Sequence, residues 1–404
     1  MSTQDNIAKQ KYLGKTGLVL FITLMNMFIP LSTDLYLPAL PSMSEILGAP
    51  TALTNLTLVA FFFFYAVGTL FWGPMSDKYG RRIILIVGAA MYAAASMACA
   101  LAPDVYVLIA ARIMQGIGAG AITSVSMALI KDCYSGKTRE SILAVVQTVA
   151  GLAPMLAPVV GAFLLKFTDW RGSFWLLTAA GAVCLLLAIL YQETLPADEK
   201  YEGSIAGAIG RLFAVGKNAS FIVPCLLFSL YNLAFMGYIS MSSYIYVEYF
   251  ELSEQTYSYF FAANAALSMV GPMLYVKFLI NFNKKKLAAG CFTIYAICGA
   301  AIVLVGGLHP ALFWLGFAPF SLMGTITRPF STNIMLDQQD GDSGSAASLI
   351  GGVATVFGSI GMVAASLFSN AVFGLGFIIF LSGAASLIGW FALMKSSLPL
   401  KGVK

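Results

Sequence analysis

The chain has 404 residues, of which 59% are hydrophobic and 10% are charged, and its mean hydropathy is +0.85. A water-soluble domain carries roughly 25% charged residues, so this composition excludes a soluble globular protein and indicates one that is embedded in lipid. The net charge of +5 is explained by attraction to an anionic leaflet and implies no nucleic-acid partner.

Hydropathy predicts twelve membrane-spanning helices, because a run of about 20 apolar residues is long enough to cross a bilayer. The spans are predicted at residues 18–40, 53–74, 83–102, 105–130, 142–166, 173–191, 219–243, 257–280, 287–307, 311–335, 345–369 and 371–394. Residues 1–17 are polar and do not resemble a cleaved signal peptide. The predicted fold class is therefore an all-α integral membrane protein with twelve transmembrane helices.

The positions of the basic residues predict the orientation of these helices. If the N-terminus is cytoplasmic, nineteen of the 23 Lys and Arg residues fall in cytoplasmic segments and two fall outside. Because cytoplasmic loops carry an excess of Lys and Arg, this predicts a multi-pass protein of the cytoplasmic (inner) membrane with both termini in the cytoplasm. The remaining two basic residues, Arg112 and Arg328, lie within spans.

A polar connector at residues 192–218 predicts a division of the chain into two six-helix halves, at residues 1–191 and 219–404. The tripeptide Gly-Pro-Met occurs in each half, beginning at Gly73 and again, 198 residues later, at Gly271. It ends the second span and lies within the eighth, so it occupies the same element of each half. This match indicates an internal repeat.

Two opposite charges lie within predicted spans. An isolated carboxylate such as Asp34 in the first span costs about 2.5–3.5 kcal/mol on insertion scales, so it is by default a functional-site residue. Asp34 is six residues from the outer end of its span, and Arg112 is seven residues from the outer end of the fourth. At about 1.5 Å per residue the two charges lie at similar depth and are expected to pair. A proton-coupling role is favoured over a purely structural clamp between helices.

The first cytoplasmic loop carries the most specific motif, and its residues are Gly73, Asp77, Gly80, Arg81 and Arg82. A loop that only anchors topology would explain the paired arginines but not the spacing of the glycines and the aspartate. The loop resembles the signature loop of the major facilitator superfamily, and this resemblance implies two six-helix repeats. Gly80 permits a tight turn, and Asp77 is expected to act as a cytoplasmic gate by capping the N-terminus of the eleventh span at residues 343–345.

A second resemblance is carried by two segments, Asp34-Leu35-Tyr36-Leu37-Pro38-Ala39-Leu40-Pro41 and Arg112-Ile113-Met114-Gln115-Gly116-Ile117-Gly118. They are similar to the twelve-helix drug:proton antiporters, especially the bicyclomycin-resistance (Bcr/CflA-like) group. This resemblance implies export of small amphipathic, drug-like molecules in exchange for protons, with Asp34 and Arg112 in proton coupling. A proton symporter that imports a small nutrient stays an alternative, because an Asp–Arg pair permits either direction.

The fifth span is similar to the antiporter motif of the same group. Its matching residues are Pro154, Pro158 and Gly161, and small residues and prolines permit close helix approach and bending. Alanine stands at positions 153, 157 and 162, where the pattern favours glycine, which weakens the antiport inference without removing it.

Polar and aromatic residues at helical spacing predict a substrate-binding surface on the first, fourth, seventh and tenth spans, which line the central cavity in major facilitator folds. The candidate cavity residues are Asn26, Tyr36, Gln115, Tyr231, Asn232, Phe235, Tyr238 and Arg328. Interhelical hydrogen bonding is the alternative interpretation for the small polar residues. It explains Arg328 poorly, because this residue has no intramembrane acid in its own half and is expected to face water or an anionic substrate group.

Motifs of other function classes are missing from the sequence. Lys9 and Lys131 stand where a phosphate-binding loop before Gly14-Lys15-Thr16 or Gly136-Lys137-Thr138 would need its first glycine, so ATP binding is not supported. There is no HExxH motif, Cys/His cluster or nucleophile elbow, so we expect no metal, no cofactor and no enzymatic activity. The expected partners are protons, a small-molecule substrate and the lipid bilayer, and the protein is expected to be a monomer.

Overall fold

The computed structural model is all-helical in the part of the chain that it describes, which is residues 10–134, 136–195, 200, 214–338 and 343–403. Twelve long helices follow one another. They are α1 (Gly14–Asp34), α2 (Thr51–Tyr79), α3 (Arg81–Ala100), α4 (Val105–Cys133), α5 (Gly136–Leu164), α6 (Arg171–Leu190), α7 (Ala219–Ser243), α8 (Glu254–Leu274), α9 (Lys284–Val305), α10 (Pro310–Leu336), α11 (Ser343–Ser366) and α12 (Ala371–Lys395).

Each predicted span corresponds to one of these helices. Within the described residues, eleven helices are long and apolar enough to cross a membrane, and α5 contributes a shorter apolar stretch, Gly151–Leu164. The predicted all-α, twelve-helix membrane class is confirmed.

The chain divides into two compact units, Met1–Ile205 and Ala206–Lys404. This division falls inside the predicted connector at 192–218, of which residues 196–199 and 201–213 lie outside the described part. The limits predicted for the two halves stay a prediction.

The same helix pairings recur inside each unit. In the first unit α1 packs on α5, α2 on α4, and α3 on both α4 and α6. In the second unit α7 packs on α11, α8 on α10, and α9 on both α10 and α12. Each of these pairs in the second unit is a pair of the first unit shifted by six helices, which agrees with the internal repeat predicted from the sequence.

Hydrogen-bonding side chains define where several helices begin. Asp104 precedes α4, and its Oδ1 accepts hydrogen bonds from the backbone N–H groups of Tyr106 and Val107, both at 2.9 Å. Asn218 and Asn283 cap α7 and α9 in the same way. These side chains satisfy backbone donors that the first turn of a helix leaves unpaired.

Candidate functional site

Asp34 is the last residue of α1 and is only 5% exposed. Among the described residues it is the one acidic side chain that is buried. Its Oδ1 accepts a hydrogen bond of 2.9 Å from Thr33 Oγ1. The predicted span at 18–40 is therefore not one continuous α-helix, since a short 3₁₀ turn at Leu37–Ala39 and a helix at Leu40–Ile46 follow. Pro38 and Pro41 cannot donate backbone hydrogen bonds, which explains why the helix breaks beside the acid.

Arg112 lies on α4 and is completely buried. Its Nε donates to the carbonyl oxygen of Thr57 at 3.2 Å, and its Nη1 donates to the carbonyl oxygen of Ser32 at 2.9 Å. Nη1 also donates to Oε1 of Gln115. The Nη2 atom is buried and has no hydrogen-bond partner among the described residues. A single guanidinium thus joins α4 to the backbones of α1 and α2.

The predicted direct ion pair between Asp34 and Arg112 is absent from the described residues, where no ion pair within 4.0 Å includes either side chain. Arg112 contacts the backbone of Ser32 instead, and Ser32 Oγ is 2.6 Å from the hydroxyl of Tyr92. Residues two positions apart in a helix are separated by about 200° around its axis. Ser32 therefore faces α3 and α4, while Asp34 points elsewhere. The sequence predicts that the two charges lie at a similar depth in the membrane, but it does not predict the direction in which their side chains point.

Aromatic rings surround the buried guanidinium. Its Cζ atom lies 4.3 Å from the ring centroid of Phe61, 4.9 Å from that of Tyr36 and 5.7 Å from that of Phe174. The faces of aromatic rings attract cations, and a guanidinium is weakly hydrated, so this enclosure offsets part of the cost of burying Arg112. The Tyr36 hydroxyl is itself 3.0 Å from Thr57 Oγ1.

Three of the residues predicted to line the central cavity belong to the first unit, and they have other contacts in the structure. Tyr36 and Gln115 are completely buried, and Gln115 Nε2 donates to Ser96 Oγ at 2.7 Å. Both therefore support Arg112 and are not accessible to a substrate in this structure, which corrects the expectation that they are lining residues. Asn26 is half-buried and its Nδ2 donates to Ser126 Oγ at 2.5 Å, the interhelical bond that was the alternative interpretation.

Gly161, one of the antiporter-like residues of α5, lies against the end of α1. A Cβ atom at Gly161 would overlap the carbonyl oxygen of Leu35, the residue that follows Asp34. Pro154 and Pro158 lie within the same helix, where each removes one backbone donor. Gly161 thus allows two backbones to approach closely beside the buried acid.

Replacing Gly161 with alanine is expected to destabilise the protein by about 1–3 kcal/mol, because the new methyl group must displace the backbone of α1. The same displacement would move Asp34, so transport should fall as well. Thermal unfolding in detergent and transport in proteoliposomes measure the two effects. Gly290→Ala is the matched control, since a Cβ at this helical glycine meets no atom within 4 Å. Identical behaviour of the two variants would contradict the prediction.

The second unit contains a cavity of about 260 Å³ between α7, α10 and α11. Its polar and charged lining residues are Ser229, Tyr231, Asn232, Thr327, Arg328, Ser331 and Thr332. Three residues predicted from the sequence, Tyr231, Asn232 and Arg328, are therefore brought together here. The Tyr231 ring is stacked on Phe235, with 5.4 Å between the centroids.

Tyr238 lies apart from this cavity. It is completely buried, and its ring stacks on Phe317 with a centroid distance of 3.7 Å. Its hydroxyl has no hydrogen-bond partner among the described residues. The structure places Tyr238 in an aromatic cluster of α7, α8 and α10, so the expectation that it lines the cavity with Tyr231 is not met in this structure.

The motif that is predicted to be cytoplasmic forms a compact charged cluster between α2 and α3. Gly80 separates the two helices with a φ of +104°, a conformation that favours glycine. The next residue, Arg81, is 5% exposed and forms ion pairs with Asp77 and with Asp132, the latter at 2.9 Å. Gly73 lies one turn before Asp77, and its carbonyl oxygen accepts a hydrogen bond of 2.8 Å from Ser76 Oγ.

Two acids of this cluster were missed by the sequence analysis. Asp132 lies at the end of α4, and Glu193 follows α6. The carboxylate of Glu193 accepts from the backbone N–H groups of Arg81 at 3.1 Å and Arg82 at 3.0 Å, so it caps α3. Both acids lie at helix ends that are predicted to be cytoplasmic, and the positive-inside rule that predicts those ends considers only Lys and Arg.

The predicted contact of Asp77 with the eleventh helix stays a prediction. The side chains of residues 343–345 lie outside the described part of the chain. The contact that the structure does describe for Asp77 is the ion pair with Arg81, four residues later. Arg82 is exposed, and its Nη2 donates to the carbonyl oxygen of Ile189 at 2.7 Å.

Asp132→Asn is expected to cost more stability than Asp77→Asn. The side chain of Asp132 is 13% exposed and that of Asp77 is 52% exposed, and both pair with the same arginine. A hydrogen-bonded charge that is largely buried contributes about 1.5–3 kcal/mol, whereas an exposed pair contributes about 0–1 kcal/mol. Thermal unfolding of the two variants in the same detergent tests this order, and an equal or reversed effect would contradict it.

Several sequence relatives align along most of the chain. It is 28% identical over 389 residues to the MFS-type transporter YdgK of Bacillus subtilis, covering 95% of this chain and 97% of that protein. It is 24% identical over 396 residues to a bicyclomycin resistance protein homolog of Haemophilus influenzae, covering 95% and 98%. It is 27% identical over 339 residues to the multidrug resistance protein MdtL of Klebsiella pneumoniae, covering 82% and 83%.

Solved structures share the fold. The D-xylose-proton symporter superposes with a TM-score of 0.75 at 16% identity, covering 96% of this chain and 98% of the symporter. A peptide transporter, POT, superposes with a TM-score of 0.74 at 15% identity, covering 98% and 97%. A sequence model of the Major Facilitator Superfamily matches residues 19–365. The repeated helix packing, the cytoplasmic motif and this match agree, and the chain belongs to the Major Facilitator Superfamily.

Proposed function

We propose that the protein is a proton-coupled secondary transporter that exports small amphipathic, drug-like molecules by antiport. The observation that carries this proposal is Asp34, the one buried acid among the described residues, which lies where α1 breaks. The relatives named for multidrug and bicyclomycin resistance support export as the direction and drug-like molecules as the substrates.

In this mechanism Asp34 binds a proton on the outer side and releases it on the inner side. One proton that enters across 100 mV supplies about 2.3 kcal/mol, which drives the substrate in the opposite direction. Arg112 holds the backbone of α1 through Ser32, two residues before the acid, so it is a positioning residue for Asp34. Gly161 lets α5 contact the same segment from the other side.

Substrate contacts are assigned to the cavity of the second unit. Tyr231 offers an apolar ring, while Asn232 and Arg328 offer hydrogen-bond donors. Ligand pockets combine such apolar walls with a few polar groups that orient the ligand.

The location proposed for the protein is the cytoplasmic membrane, as a monomer with both termini in the cytoplasm. The uneven distribution of Lys and Arg, nineteen inside and two outside, supports this orientation. Labelling of cysteines introduced near residue 11 and residue 401 with a membrane-impermeant reagent in intact cells tests it. Labelling of either terminus without permeabilisation would contradict the orientation.

Proteoliposomes test the direction of coupling. An antiporter accumulates substrate when the lumen is acidic, whichever way the protein is inserted, because protons leave as substrate enters. A symporter accumulates substrate when the external buffer is acidic. We expect uptake with an acidic lumen, abolished by an ionophore that collapses the gradient. Uptake only with an acidic exterior would replace the proposal with nutrient symport.

A panel of compounds identifies substrates for this assay. Purified protein in weakly buffered detergent solution should release protons when a transported compound binds. Protein unfolded by heat is the control for non-specific pH changes. Release by no compound, together with no gradient-driven uptake, would reject proton antiport.

A further inference from the structure

The cavity of the second unit has an unbalanced charge. Arg328 is exposed toward open space, and its guanidinium forms no hydrogen bond or ion pair with another described residue. The described residues that line the cavity include no Asp or Glu. The next acid along α10 is Asp337, nine residues later, which corresponds to about 13 Å along the helix.

A lone arginine in a membrane-spanning helix requires a compensating partner. Charged side chains in such helices pair with one another or face water-filled spaces, and unpaired ones mark substrate or ion pathways. Arg112, the other intramembrane arginine, satisfies this requirement with two backbone carbonyls, a glutamine and three aromatic rings. The guanidinium of Arg328 has no such set of protein partners among the described residues, so its planar fork of donors is available to a ligand.

The wall beside Arg328 is aromatic. The Tyr231 ring packs against Phe320 at a centroid distance of 5.0 Å and against Tyr295 at 5.7 Å. A Cβ atom at Gly324 would overlap the Tyr231 ring, so the glycine lets this ring lie flat against α10, one turn from Arg328. The closely packed Tyr231 ring therefore lies next to the guanidinium of Arg328, which is unpaired among the described residues.

We propose that this cavity binds the anionic group of an organic anion, with Arg328 as the residue that selects for the negative charge. The favoured ligands carry a carboxylate, sulfonate or phosphate group on an apolar or aromatic body. A guanidinium forms bidentate, charge-assisted hydrogen bonds with each of these groups. The exposed edge of the largely buried Tyr231 ring and the apolar lining residues Met335 and Ile350 contact the body. A volume of about 260 Å³ accommodates such a head and one ring system. The inference names the substrate class of the transporter proposed above and rests on that function.

A matched pair of probes tests the charge. Binding of 2-naphthoate and of its uncharged analogue 2-naphthamide is measured by calorimetry on the full-length protein in detergent, without a pH gradient. In Arg328→Gln the affinity for the naphthoate should fall about tenfold or more, while that for the naphthamide should change less than about twofold. Arg328→Lys keeps the positive charge but not the forked arrangement of donors. Its affinity for the naphthoate should therefore lie between that of the unaltered protein and that of Arg328→Gln.

Asn333→Ala is the control variant, because Asn333 is exposed on the same helix and does not line the cavity. Retained naphthamide binding shows that Arg328→Gln has folded. Equal losses for both probes, or no preference for the naphthoate in the unaltered protein, including binding of neither, would overturn the proposal. Competition by inorganic phosphate alone as strong as that by the naphthoate would overturn the role of the aromatic wall and leave a simple anion site.

The same measurement separates this inference from the proposed function. Because binding is measured without a gradient, charge selection by Arg328 can hold even if gradient-driven transport fails. In that case the anion site stands and proton antiport is rejected. Gradient-driven transport of compounds without regard to their charge would instead retain antiport and reject Arg328 as the selecting residue.

Discussion

Asp34→Asn is expected to abolish pH-gradient-driven transport, down to the level of protein-free liposomes, while compound binding survives. Asparagine has nearly the same shape as aspartate and can still accept the hydrogen bond from Thr33, so the structure around it should persist. It cannot bind and release a proton. Because no other acid among the described residues is buried, no neighbour is available to take over this role.

The measurement uses proteoliposomes with an acidic lumen and a compound found by proton release. Asp169→Asn is the matched control, since Asp169 is exposed and forms a surface ion pair with Arg171 at 3.1 Å. Its transport should be unchanged, because exposed pairs contribute about 0–1 kcal/mol. Undiminished gradient-driven uptake by Asp34→Asn would reject Asp34 as the coupling residue. Downhill exchange of compound, measured without a gradient, shows whether the variant still binds and moves substrate.

Arg112→Ala should be inactive and less stable, and Arg112→Lys should be strongly impaired. Removal of the guanidinium removes the hydrogen bonds that Nε and Nη1 donate to the carbonyl oxygens of Thr57 and Ser32, and a hydrogen bond to a charged group contributes about 1.5–3 kcal/mol. It also leaves a void between the surrounding aromatic rings. Lysine retains the charge, but a single ammonium cannot reproduce the separate bonds made by Nε and Nη1.

For each Arg112 variant, the loss of activity is separated from the loss of stability by measuring thermal unfolding and transport in the same preparation. Arg171→Lys is the control, because Arg171 is a partly exposed arginine that also stacks on an aromatic ring, with its Cζ 4.3 Å from the Trp170 centroid. It should behave like the unaltered protein. A stable and fully active Arg112→Lys protein would show that the forked geometry is not required. It would also contradict the role of Arg112 as the residue that positions Asp34.

The candidate site was only partly predictable. Asp34, Arg112 and Arg328 could be found because each is a charged residue in an apolar run. A charge in a membrane span costs free energy, so such a position is recognisable from the sequence alone. The ion pair expected between the first two was not found, because similar depth says nothing about which way a side chain points around its helix. Asp132 and Glu193 reach Arg81 from positions 51 and 112 residues away in the chain, and no local pattern reports contacts of that kind.

The amino-acid sequence by itself determined the membrane class, the twelve spans and the motif that begins at Gly73, because span length and turn residues are local properties. Tertiary structure alone decided what each polar side chain contacts. It enclosed Arg112 among backbone carbonyls and aromatic rings, and it buried Tyr36 and Gln115 around that side chain. It also brought Tyr231, Asn232 and Arg328 to one cavity. The physical reason is that helical spacing sets the height and relative angle of side chains on one helix, whereas packing between helices sets which neighbour they meet.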